Sequence, residues 1–153
     1  MWYRVFSRSE TVLAPADLIA HLHAAGLPVV PHFKGDDLGW TAGDLVLPGG
    51  GTPVHIDRYL TEIDELRKDL NSFAAELETM DYAKPHNVSM MERVIQTRQL
   101  FTYRKPIDHP NDAVLERLCE TLAQFLATHL DGTYQIDTRG WFSAAGTQII
   151  QEY

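Results

Sequence analysis

The sequence predicts an α+β fold, a mostly antiparallel sheet made of two βαββ halves joined by a long amphipathic helix. Three observations predict it. Short runs rich in aromatic and β-branched residues alternate with helix-period stretches, a pattern ending in tryptophan occurs twice, and a sustained 3–4 apolar repeat lies between its two copies.

Trp2 to Arg8 reads as the first strand. Pro15 then opens a helix whose Leu18, Ile19, Leu22 and Ala25 share a face, and Gly26 closes it. Leu27, Val29, Val30 and Phe33 suggest a second strand, held to an edge or bent by Pro28 and Pro31. A turn cluster, Lys34 to Gly39, leads to a third strand around Leu45-Val46-Leu47. Pro48-Gly49-Gly50-Gly51 breaks the chain, Thr52 is placed to cap a helix, and Pro53 suits the first helical position. Ile56, Leu60, Ile63, Leu66, Leu70, Phe73, Leu77 and Met80 continue at helical spacing, so one helix of about 40 Å is expected to end before Pro85. Ser89 and Glu92 form a capping-box pair that starts a short helix to about Gln96, and Gln99 to Tyr103 reads as a strand. Asn111 or Asp112 caps a helix with a broad apolar face from Val114 to Leu130, stopped by Asp131-Gly132. Tyr134-Gln135-Ile136 and Gln148-Ile149-Ile150 are the arms of a terminal hairpin around Gly140 to Gly146.

The repeated pattern sets Phe33, Asp36, Gly39 and Trp40 beside Tyr134, Asp137, Gly140 and Trp141 at identical spacing. Its physics is that of a hairpin. Aspartate bonds backbone across a turn, glycine takes a dihedral that other residues resist, and tryptophan pins the returning strand to the core. A pseudo-duplication is therefore expected within a single domain, residues 1–153, with half-repeats at about 1–48 and 97–153 and a helical connector at about 53–96. Such halves would leave a groove where they meet.

A chain of 153 residues buries enough surface for a core without staples. Its net charge is −8, with no run among its 13 basic residues, which disfavours nucleic acid and anionic membrane as partners. No apolar run approaches the ~20 residues that span a bilayer, and no signal-peptide pattern opens the chain, so a cytoplasmic location is expected. The single cysteine, Cys119, lies in an apolar helical stripe and reads as a core thiol.

No nucleophile elbow, zinc-ligand pattern, dinucleotide-binding glycine motif or i, i+4 histidine pair is present, so no catalytic residue, metal or cofactor is assigned. Gly49-Gly50-Gly51-Thr52 resembles an anion cradle at a helix start, with Arg58 one turn in, although Pro53 removes one donor. The polar side of the expected long helix carries Glu62, Asp64, Glu65, Asp69, Glu76 and Glu78 with Arg67 and Lys68, so a partner docking there should be basic. Two functions follow as expectations. The first is a non-catalytic binding or regulatory protein engaging a protein partner. The alternative is a binder of a small anionic ligand, or an enzyme, using a groove between the halves.

Overall fold

The computed structural model describes all 153 residues. Five elements come first: strand β1 (Trp2–Ser7), helix α1 (Pro15–Ala24), and strands β2 (Val30–Asp36), β3 (Gly39–Val46) and β4 (Val54–Leu60). Helix α2 (Arg67–Glu78), a 3₁₀ turn (Asp81–Ala83) and helix α3 (His86–Ile95) follow. Strand β5 (Gln99–Arg104), helix α4 (Asp112–His129), and strands β6 (Gly132–Ile136), β7 (Gly140–Phe142) and β8 (Gln148–Gln151) complete the chain. All eight strands join one antiparallel sheet in the order β2-β3-β4-β5-β1-β6-β7-β8. The α+β class and the antiparallel sheet are therefore as expected. No helix is long and apolar enough to cross a membrane.

The sheet divides the interior in two. On one face α1 and α4 bury Leu18, Leu22, Leu115, Leu118, Leu122 and Leu126 against Tyr3, Val5, Ile56, Phe101 and Tyr134. α4 runs in that position because its apolar residues recur at helical spacing and because Asn111 caps it, its side-chain oxygen accepting from the Val114 N–H at 3.2 Å. Each such leucine, fully buried, contributes about 1.5–3 kcal/mol, and truncating Leu122 to alanine should cost about 2–5 kcal/mol. On the other face α2 and α3 bury Leu66, Leu70, Leu77, Met90 and Val94 against Phe6, Leu100, Trp141 and Ile150. These two helices cover the sheet only from β5 to β8. Strands β2 to β4 present His32, Lys34 and His55, all exposed, on the same uncovered side.

The expected long helix is corrected. Residues 54–60 form β4, so the first helix of the connector is confined to α2, and the short helix expected from Ser89 to about Gln96 is α3. Val54, Ile56 and Arg58 are buried while His55 is exposed and Asp57 and Tyr59 are half-buried, the alternation of a strand. Ile56 and Leu60 are four apart, an even interval that serves a period of two as well as a helix, which is why the apolar repeat ran on without a break. Glu65, at φ 55, then takes a left-handed conformation just before α2 begins, and Ile63 is 63 % exposed rather than part of an apolar stripe.

The expected equivalence of Trp40 and Trp141 is corrected as well. The order β-α-β-β-β occurs on both sides of the connector, but β6 lies beside β1 while β2 lies at the far edge. Trp40 enters the α1/α4 core and Trp141 the α2/α3 core. The cause is a β-bulge. Lys34 pairs with Ala42 but Gly35 pairs with Trp40, so Thr41 is an extra residue, and it puts Trp40 on the face of Phe33, the two rings 5.2 Å apart. Tyr134 pairs with Phe142 and Gln135 with Trp141 without interruption, so there the same spacing sends the tryptophan to the opposite face from Tyr134.

Candidate functional site

The glycine turn sits between β3 and β4, with Gly49, Gly50 and Gly51 at φ 104, 88 and 88. No helix follows it, so no helix dipole reinforces it. Thr52, its last residue, is already engaged. The Thr52 N–H donates to both Asp108 carboxylate oxygens at 3.0 and 3.1 Å, and the Thr52 hydroxyl donates to Oδ2 at 2.7 Å. Those bonds hold the Asp108 carboxyl below its ordinary pKa. The turn thus cradles a carboxylate of the protein itself. Arg58 lies six positions along β4, about 20 Å away at strand rise, and points into the α1/α4 side. The structure does not bring Arg58 to Gly49-Gly50-Gly51-Thr52.

The hairpin residues serve different ends. Asp36 accepts from the Leu38 N–H at 2.8 Å within the β2–β3 turn, whereas Asp137 accepts from Arg4 Nη1 at 2.6 Å. Gly39 and Gly140 have φ 105 and 124. The Trp40 indole donates to the Leu13 carbonyl at 2.9 Å, while the buried Trp141 Nε1 has no hydrogen-bond partner.

His55 is held between Asp44 and Asp57, Nδ1 at 2.8 Å from one and Nε2 at 3.0 Å from the other. The bond to Asp44 is the main cause that raises its pKa; burial, the next largest effect, opposes it, and Asp57 adds to the rise. Both ring nitrogens are committed, and no nucleophile stands beside them. No group of three or more His, Cys, Asp or Glu side chains is arranged to hold a metal. The Cys119 thiol is buried and pushed up to about 12 by that burial, so it stays protonated and inert.

A groove runs along α2 where that helix stops short of covering the sheet. Two clefts, of about 550 and 510 Å³, meet at Arg4 and Phe73. Asp69, Phe73 and Glu76 succeed one another at steps of four and three, so α2 turns this stripe to the groove, with Met80 just past the helix end, while Leu70, Ala74 and Leu77 go to the core. Trp2 and Arg4 of β1, Tyr59 of β4 and Thr102 of β5 form the floor, and Tyr82 and Tyr153 close one end with rings 5.4 Å apart. Asp64, Asp69, Glu76, Asp137 and Glu152 line the two clefts, five carboxylates against the one guanidinium of Arg4. Arg4 is itself engaged by Asp137 and by Gln135 at 2.8 Å, and its guanidinium lies 5.3 Å from the centre of the Phe73 ring. Asp69 and Glu76 have no ion-pair partner and are exposed. Seven residues apart, they stand about 10 Å from one another along the helix.

The sequence points to Asp64, Asp69 and Glu76 as part of an acidic side. It does not mark Trp2, Arg4, Phe73, Glu152 and Tyr153 as their neighbours, because only the strand order brings both chain ends to α2. The chain matches no protein family, no curated protein and no solved structure.

Proposed function

We propose that this is a non-catalytic binding protein whose α2 groove takes a basic segment of a protein partner. The observation that carries the reading is the charge and chemistry of the groove, five carboxylates to one internally paired arginine, with Trp2 and Tyr59 in its floor and Phe73 in its wall. Carboxylates beside exposed aromatic faces suit lysine and arginine, whose head groups pair with the acids while their stems and charges lie on the rings. The spacing of Asp69 and Glu76 fits two basic side chains three positions apart in an extended segment of polyproline II type, which has three residues per turn and so puts both on one side about 9 Å apart. The net charge of −8 adds long-range attraction to a cationic partner.

The test is fluorescence anisotropy with labelled extended peptides carrying lysine or arginine at that spacing, against peptides with glutamate in the same places. Basic peptides should bind, weaken steeply with added salt, and lose about tenfold or more in affinity to the Asp69→Lys/Glu76→Lys protein. Equal binding of basic and acidic peptides, or none at millimolar protein, would contradict the reading.

A further inference from the structure

Arg58 occupies a second, separate site on the other face of the sheet. It is only 5 % exposed, yet no carboxylate lies within ion-pair distance of it. A guanidinium buried to that degree is ordinarily offset by a negative partner, because its desolvation is otherwise uncompensated. Here Nε donates to Gln99 Oε1 at 2.8 Å and Nη1 to the Trp40 and Leu38 carbonyls at 2.9 and 3.3 Å. Gln99 is fixed in turn, its Nε2 donating to the Ser9 and Thr11 carbonyls at 2.7 and 2.9 Å. The head group also lies 5.9 Å from the centre of the Trp40 ring. Only Nη2 is without a protein acceptor, so a rigidly held cation keeps one nitrogen free.

Arg58 lines a cleft of about 630 Å³ whose walls include Val12, Leu38, Leu60 and Ile63. Three of these are conspicuous surface hydrophobics, Val12 being 45 %, Leu38 48 % and Ile63 63 % exposed. Apolar side chains gathered around a charge that Asp36 and Asp64 offset only from a distance, with no carboxylate touching it, describe a ligand with both characters. The rim limits how much negative charge it can carry. Arg98 is tied to Glu10 and Glu62 faces Arg67 at 3.4 Å, which leaves Asp37 exposed and unpaired at the mouth, so a second negative charge on the ligand would meet repulsion with no cation left to offset it.

We infer that this cleft binds a singly charged carboxylate borne on a small aliphatic group, the carboxylate against Arg58 Nη2 and the aliphatic part on Val12, Leu60 and Ile63. Two sources share that chemistry, a free aliphatic acid and the C-terminal residue of a peptide, and the probes separate them.

The experiment titrates isovalerate, an acetylated tripeptide ending in leucine with a free or an amidated terminus, and inorganic phosphate into protein labelled at arginine side chains. It follows the Arg58 Nε–H resonance by NMR. Isovalerate or the free-acid peptide should shift that resonance saturably, with the amide and phosphate at least about tenfold weaker. Arg58→Gln should abolish the saturable binding. Ile63→Ser, at an exposed position that leaves the fold intact, should weaken it about threefold. The inference fails if the wild-type Arg58 resonance moves with none of the carboxylates, or if phosphate or the amide moves it as readily. That readout comes from the unaltered protein and stands even if Arg58→Gln unfolds.

Discussion

The β2–β3 and β6–β7 hairpins carry the same pattern of aromatic, aspartate, glycine and tryptophan, yet they deliver their tryptophans to opposite faces of one sheet. In the first, a two-residue loop and the bulge at Thr41 keep Trp40 with Phe33, beneath α1 and next to Arg58. In the second, a three-residue loop and an unbroken register turn Trp141 towards Phe6 and Phe73, under the floor of the α2 groove. Side-chain direction in a strand has period two, so one extra residue decides the face, and composition carries no trace of it. Matching motifs therefore support two different sites.

Glycine substitution probes the difference most strongly. A Cβ at Gly140 would lie 1.9 Å from the Ile150 carbonyl oxygen, backbone that cannot yield, at φ 124. Gly140→Ala should cost about 3 kcal/mol or more and separate β8 from β7. At Gly39 the nearest atoms are the Val12 methyls at 2.8 and 3.2 Å, on an exposed side chain that can move, so Gly39→Ala should cost about 1–2 kcal/mol. Chemical denaturation of both proteins checks the order, and equal losses would mean that the two turns are equally constrained.

Replacing each tryptophan by phenylalanine gives a smaller effect. Trp40→Phe removes the hydrogen bond to the Leu13 carbonyl, whereas Trp141→Phe removes a buried N–H that has no partner. Trp141→Phe should be milder by about 1 kcal/mol, because loss of an unsatisfied donor offsets part of the lost packing. Urea midpoints of the two variants measure the difference, and a milder Trp40→Phe would reverse the assignment of their surroundings.

The smallest effect is electrostatic. His55 ties β4 to Asp44 of β3, beside the first hairpin, and Asp44 and Asp57 raise its folded-state pKa above the unfolded value. Its contribution is fully present below the unfolded pKa, near 6.5, and is lost as pH rises through the higher folded value. With the ring about half exposed the contribution is a few tenths of a kcal/mol. Stability of wild type minus His55→Gln should be positive at pH 5.5 and vanish by pH 9. A difference that grows with pH would contradict the pairing.

Much of the fold was legible where residue type, capping or periodicity points one way. Trp2–Ser7 and Gln99–Arg104 are marked as strands by their aromatic and β-branched residues, the Asn111 cap and the apolar stripe of α4 fix its start and face, and Gly26 and Gly132 mark where α1 and α4 stop. β4 was not, because Ile56 and Leu60 suit either period and Gly51-Thr52-Pro53 looks like a helix start until Asp108 is seen to occupy it. The groove was half legible. Its acids recur along one segment, but Trp2, Arg4, Glu152 and Tyr153 join them only because β1 lies central in the sheet and the chain end returns past Tyr82. Arg58 was singled out for the wrong neighbours, since nothing in the residues around it signals Gln99, Leu38 and Trp40 as its partners.

The three tryptophans are separate reporters of the central claim, that the groove on the α2 face, and not the α1/α4 face, receives a basic segment. Trp2 lies in the groove floor, Trp141 beneath Phe73, and Trp40 across the sheet. Titrating a basic peptide of the stated spacing into protein labelled at the indole nitrogens should move the Trp2 resonance strongly and Trp141 slightly, and leave Trp40 where it was. Movement of Trp40 with Trp2 unchanged would contradict the account.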